Sequence, residues 1–179
     1  MVAQIGYPLV VKPDSQGSSL GVTIVRTPAE LPAALRCCFE YDSFGVVEQY
    51  ISGSEWTIGL LDDRVLPAIR IETPRGFFDY QAKYEDDATE YRFDSDWSSD
   101  ELLRLEDAAR DACRALGTSG LVRVDVMTDH QRLPYVLEVN TIPGLTDHSL
   151  VPKAAARVGL PFGELCEQMI GHCLAGRVA

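Results

Sequence analysis

GLVRVDVMTDHQRLPYVLEVNTIPGLTDHSL, residues 120–150, gathers an arginine, two carboxylates and an asparagine into two runs of alternating pattern. From Leu121 to Thr128, Val122, Val124 and Val126 alternate with Arg123 and Asp125, and successive strand side chains point to opposite faces. Leu133 to Asn140 repeats the device, with Glu138 and Asn140 two apart. Between the runs, Asp129 to Arg132 is a polar connection of hairpin length. Placing Thr128 opposite Leu133 sets Arg123 opposite Glu138, with Asp125, Glu138 and Asn140 on the same face. No Asn-Gly turn fixes that register.

Carboxylates with an amide oxygen are hard ligands of the kind Mg²⁺ takes while it keeps several waters and draws further oxygens from substrate phosphates. The face therefore reads either as a magnesium-nucleotide site or as a salt-bridged hairpin in which Arg123 satisfies Asp125 and Glu138. Directly after it, Thr141-Ile142-Pro143-Gly144-Leu145-Thr146 is a breaker-rich loop leading to Ser149 and a helix. Loops in that position tend to carry ligands.

The chain has 179 residues, 46% hydrophobic and 24% charged, which suits one sizeable core or two small lobes. Sixteen basic against twenty-seven acidic residues give a net charge of −11, and a nucleic-acid partner would need a basic face. ATP is compatible with that charge, because a few lysines and bound metal suffice for its phosphates. No run reaches the roughly eighteen apolar residues of a membrane span. Pro8, Lys12 and Pro13 stand where a signal peptide would have its apolar core, so the cytoplasm is the expected location. Cys37, Cys38, Cys113, Cys166 and Cys173 form no C-x-x-C pair, and read as buried thiols of a reducing compartment.

Ile5-Gly6-Tyr7-Pro8 reads as a helix stop running straight into a strand, so residues 1–7 look like the tail of something upstream. The strand Leu9 to Lys12 meets a small-residue turn, Asp14 to Gly21, followed by a strand from Val22 to Val25. That turn is either an anion-binding nest with Lys12 at its edge or a plain hairpin connection. It lacks the Gly-Lys-Ser/Thr order of a Walker A loop. Thr27-Pro28-Ala29-Glu30 predicts a capped helix whose buried stripe is Leu31, Ala34, Leu35 and Cys38. Val46 to Ile51 is a strand, and Ser52-Gly53-Ser54-Glu55 either presents groups to a purine and a ribose or merely leads into the strand Trp56 to Leu61.

Val65 to Glu72 predicts one further strand. Phe77 to Tyr91, with Lys83 and Tyr84, reads as a lid that excludes water or as a solvated connector. Ser98 and Glu101 offer a capping box for a helix through Leu102, Leu105, Ala109, Ala112 and Leu116 to Gly117. One helix starts near Ser149 or Leu150 and ends at Gly159; another starts at Pro161 with Phe162, Leu165, Met169 and Cys173 on one side. His130 and His148 lack the partners of a catalytic triad, and His172 is assigned no role.

Taken together, the order and spacing of Val11-Lys12-Pro13, Gly17 to Val22, Asp79-Tyr80 with Ala82-Lys83-Tyr84, Arg123 to Met127, Leu137 to Thr141, and Pro143 to Thr146 with His148 to Pro152 resemble the ATP-grasp D-alanine–D-alanine ligases. The likeness spans nearly the whole chain and implies an α+β fold of mostly antiparallel sheets flanked by helices, with a nucleotide cleft between two lobes. Residues 1–175 would be the C-terminal catalytic region, with an N-terminal domain and the start of the central domain ahead of it.

The resemblance implies roles residue by residue. Lys12 would hold ATP phosphates, and the Ser18-Ser19 turn would cover them, with Ser18 also bonding Tyr84. Glu48 and the backbone of Gln49 and Ile51 would meet adenine, and Glu55 the ribose. Lys83 would approach the γ-phosphate. Asp125, Glu138 and Asn140 would hold two Mg²⁺ ions, or Mn²⁺ in their place. Arg123 and the Gly144 N–H would stabilise an oxyanion, while Ser149 and the Leu150 backbone would receive the carboxylate of the second D-alanine. Tyr84 favours an amine acceptor. Gln49 departs from a position often lysine in the family, but the contact expected of it is through its backbone. A homodimer is the form expected of the longer protein. Two other functions stay open: a nucleotide-binding module without activity, and an ATP-grasp ligase joining another carboxylate to another amine.

Overall fold

The computed structural model describes residues 2–73, 89–93 and 96–175; Lys83, Tyr84 and most of the expected lid lie outside them. The chain divides into two compact units, Met1–Ile51 with Thr73–Glu90, and Ser52–Glu72 with Tyr91–Ala179.

In the first unit a short helix α1 (Val2–Ile5) precedes β1 (Leu9–Pro13), which is central in an antiparallel sheet between β2 (Thr23–Val25) and β3 (Gly45–Gln49). Leu9, Val11 and Val25 are buried against Ala34 and Cys38 of α2 (Leu31–Tyr41), with Leu31 and Leu35 half-buried beside them, as the expected stripe requires. The helix does not begin as the capping pattern predicts. Pro28–Glu30 is a 3₁₀ turn, and Leu31 N bonds back to Pro28 O. Pro32 has no N–H to continue the α-helical ladder to Pro28, so the first turn tightens. Glu30 still reaches back, accepting from Arg26 N at 2.8 Å and Thr27 Oγ1 at 3.0 Å.

The second unit is built on a sheet of order β7 (Glu90–Arg92), β6 (Ile69–Glu72), β4 (Ser54–Leu61), β8 (Leu121–Thr128) and β9 (Pro134–Asn140), with β5 (Arg64–Val65) paired to the end of β4. The expected strand from Val65 to Glu72 is thus two strands. Pro67 cannot donate to a ladder, and Leu66 N turns back to Gly59 O at 2.8 Å. Glu90 and Tyr91, read as part of the lid, belong to β7.

One face of this sheet carries Trp56, Ile58, Leu60, Val122, Val124 and Val126, which pack on Leu105, Ala109 and Cys113 of α3 (Ser99–Leu116). The capping box of Ser98 and Glu101 is present, and Gly117 ends the helix at φ 64°. Cys113 is the last buried residue of the helix, and Leu116 beyond it is exposed. The opposite face is covered at the Leu61 and Leu121 end by α4 (Leu150–Arg157) and α5 (Phe162–Ala175), through Val151, Ala154, Ala155 and Leu165. Met169 joins that cluster, whereas Phe162 and Cys173 are exposed. His172, assigned no role from sequence, reaches Asp62 Oδ1 at 2.8 Å, and the same oxygen accepts Gly120 N at 2.9 Å. That pair ties α5 to the start of β8. Only Cys38 and Cys113 are buried thiols; Cys37 and Cys166 are half-buried, and all five are free.

Candidate functional site

Past the end covered by α4 and α5, the same sheet face turns polar. Odd-numbered residues of β4 and β8 share it, so Glu55, Thr57, Arg123 and Asp125 lie together, with Thr57 directly opposite Asp125. Asp125 is buried. Its Oδ1 accepts Thr57 Oγ1 at 2.7 Å and Arg123 Nε at 2.9 Å, and its Oδ2 accepts Arg123 Nη2 at 2.8 Å. A buried carboxylate needs such donors, since an unpaired charge there would be strongly disfavoured.

The partner strand meets this face in a register different from the expected one. Thr128 pairs with Pro134 rather than Leu133, and Arg123 lies opposite Asn140 rather than Glu138. Pro134 suits the first position of a strand, where no ladder N–H is required. The loop is set by Asp129, whose Oδ1 accepts Gln131 N at 2.8 Å and Leu133 N at 3.0 Å, and by Arg132 at φ 61°. Those backbone donors, Leu133 N–H foremost, hold the Asp129 carboxyl below its ordinary range. An unbroken ladder from Thr128 and Pro134 would put Leu137 opposite Asp125 and turn Glu138 to the α3 face. The register shifts between Asp125 and Val126 instead, so that Leu137 is the extra residue and Asp125 faces Glu138. A bulge of this kind re-aims side chains. Glu138 and Asn140 consequently share the face of Arg123 and Asp125 as expected, by another route. Arg123 Nη2 lies 3.6 Å from Glu138 Oε1.

Among the described residues no group of three His, Cys, Asp or Glu is arranged to hold a metal ion; the set here is two carboxylates and an amide. Its chemistry fits a hard cation. A carboxylate offers about four acceptor positions, and Asp125 uses three. Asn140 Oδ1 accepts Ile142 N at 3.0 Å, which leaves one of its two lone pairs. Thr57 was not singled out in the sequence; its only signal is the two-residue spacing from Glu55.

In the loop after β9, Gly144 and Ser149 come together: a Cβ on Gly144 would lie 3.1 Å from Ser149 Oγ. Ser149 stands at the N-cap of α4 but makes no side-chain cap bond. Its Oγ instead accepts Thr146 N at 3.1 Å and pairs with Thr146 Oγ1 at 2.9 Å. Leu150 opens α4. His148 is exposed.

In the first unit Lys12 and Glu48 meet at 2.9 Å across β1 and β3. Gln49 ends β3, and Ile51 follows it in the connection to β4. Ser18 and Ser19 have φ 55° and 58°, and Leu20 N bonds Gly17 O at 3.2 Å. They form a tight turn of the type I′ kind.

Solved structures with these two sheets define the class of fold, which is ATP-grasp. A D-alanine–D-alanine ligase from Bacillus anthracis complexed with ATP matches with a TM-score of 0.83 at 35% identity, covering 98% of this chain and 55% of that one. The VanG D-Ala:D-Ser ligase of Enterococcus faecalis matches at 0.84 and 36%, over 94% of this chain and 50% of its own. A D-alanine–D-alanine ligase of Alkalilimnicola ehrlichii is 45% identical over 170 residues, 95% of this chain and 55% of that protein. The chain belongs to the family described as D-ala D-ala ligase C-terminus, whose model matches residues 1–171. It spans about half the length of the curated relatives it matches.

Proposed function

We propose that residues 1–175 are the catalytic region of a cytoplasmic D-alanine–D-alanine ligase, which uses ATP to join two D-alanines through D-alanyl phosphate for peptidoglycan synthesis. The observation that carries this reading is the facing pair Asp125 and Glu138, with Arg123 and Asn140 on the same face. Asp125, Glu138 and Asn140 would hold Mg²⁺, which when bound supplies charge neutralisation for phosphoryl transfer. Thr57 and Arg123 hold the Asp125 carboxyl in place through three hydrogen bonds. In the second half-reaction the Arg123 guanidinium and the Gly144 N–H donate to the oxyanion, each such donor contributing about 3 kcal/mol where measured elsewhere. Ser149 and the Leu150 N–H orient the acceptor carboxylate. Lys12, Ser18, Ser19 and Lys83 serve the phosphates, Glu48, Gln49 and Ile51 the base, and Glu55 the ribose. Tyr84 favours an amine acceptor.

ADP release measured on the longest form carrying this chain tests the proposal, with the dipeptide identified by mass spectrometry. Release should depend on D-alanine, and Glu138→Gln should abolish it while the circular dichroism is unchanged. Release indifferent to D-alanine, or a D-serine product formed as readily, would overturn the substrate assignment; full activity of Glu138→Gln would overturn the metal role.

A further inference from the structure

We infer that Asp42 is a positioning residue for the turn that covers the nucleotide phosphates, an inference that rests on the role proposed for Ser18 and Ser19. Asp42 follows α2 in extended conformation, with φ −152° and ψ 156°. Its Oδ2 accepts Ser15 N at 2.8 Å and also the Ser15 hydroxyl, and its Oδ1 accepts Phe44 N at 3.2 Å. Beside it Gln16 Nε2 donates to Tyr41 O at 3.1 Å, and Asp14 N to Phe44 O at 3.1 Å. The returning limb rests on the same place: a Cβ on Gly21 would lie 2.7 Å from Tyr41 Cδ2 and 2.8 Å from Pro13 Cγ.

Both limbs of the turn are thus fastened where α2 ends. The tip needs that fastening, because Ser18 and Ser19 are adjacent non-glycine residues at positive φ. Such a conformation persists only where the surroundings over-determine it. Ser15, hydroxyl first, also holds the Asp42 carboxyl below its ordinary range, so the charged acceptor is the form present at neutral pH. Releasing Asp42 frees the stem, and the Ser18-Ser19 tip is no longer held in one place over the phosphates. Base and ribose contacts lie on other segments and are spared.

The test compares Mg-ATP, followed by calorimetric titration, with adenosine, followed by NMR titration, on the parent chain, Asp42→Ala and Ser15→Ala. Asp42→Ala should weaken ATP about tenfold and Ser15→Ala about threefold, as loss of charge-assisted and single hydrogen bonds implies. Adenosine affinity should stay within about twofold, because only the phosphates see the turn. Ser15→Ala keeps the test decisive if Asp42→Ala does not fold. Equal losses for ATP and adenosine would make Asp42 a merely structural residue and overturn the inference, as would unchanged ATP affinity in both variants. A parent chain that binds adenosine but gains nothing from the phosphates overturns the inference alone; one that binds neither overturns the proposed function with it.

Discussion

Asp125 is the residue on which the candidate site turns, and its environment shows how a buried carboxyl is supplied with donors inside a sheet. Thr57 and Arg123 together donate three hydrogen bonds to it, and the threonine is as buried as the aspartate. Thr57→Val keeps shape but removes one donor, which should lower the unfolding free energy by about 1–3 kcal/mol in urea titration. Gly53 is a second sensitive position. A Cβ there would stand 1.8 Å from Thr128 O, so the chain presses its backbone onto the hairpin. Gly53→Ala should reduce stability by at least about 1–3 kcal/mol, the range for overpacking, seen as a lower melting temperature. Arg123, Asp125, Glu138 and Asn140 were legible because a period of two is enough to sort strand faces. Thr57 was not, because its partner is 68 residues away, and one polar residue in an apolar strand carries no local sign of it.

Among the elements, helices were more legible than pairings. The signals at Ser98 and Gly117 act within a single turn, and the structure keeps both. Ser98→Ala should therefore reduce stability by about 1 kcal/mol, the usual worth of an N-cap, and urea midpoints measure it. At Thr27 the same kind of signal misled, since Pro32, five residues on, vetoes the first α-helical bond. The hairpin register lay beyond reach for two reasons. Its loop uses Arg132 at positive φ where a glycine would announce itself, and a bulge at Leu137 then shifts the pairing by one. Face survived both errors because they cancel in parity. The loop also draws on Glu101, which accepts Arg132 Nη1 at 2.7 Å while serving the α3 capping box.

Across the molecule, carboxylates held by donors should set the acid limb of stability. Glu101, through Ser98 N–H first, and Asp129 and Asp42 through their own donors, have folded pKa values below the ordinary 4.5 and 3.8. Their contribution is present above those ordinary values and is lost as pH falls through the depressed ones. Unfolding free energy followed by denaturant titration should thus decline below about pH 4.5, and Glu101→Gln should flatten part of that decline. Among the described residues no helix is long and apolar enough to cross a membrane. The account as a whole stands on Asp125, Glu138 and Asn140 acting as one oxygen set toward metal-bound nucleotide. Calorimetric titration of ATP with and without Mg²⁺, on the parent chain and on Glu138→Gln, tests it most directly. ATP should bind the parent at least about tenfold more tightly with Mg²⁺, a difference of about 1.4 kcal/mol, and Glu138→Gln should erase that gain. Binding that ignores Mg²⁺ in the parent, or a gain that survives in Glu138→Gln, would contradict it.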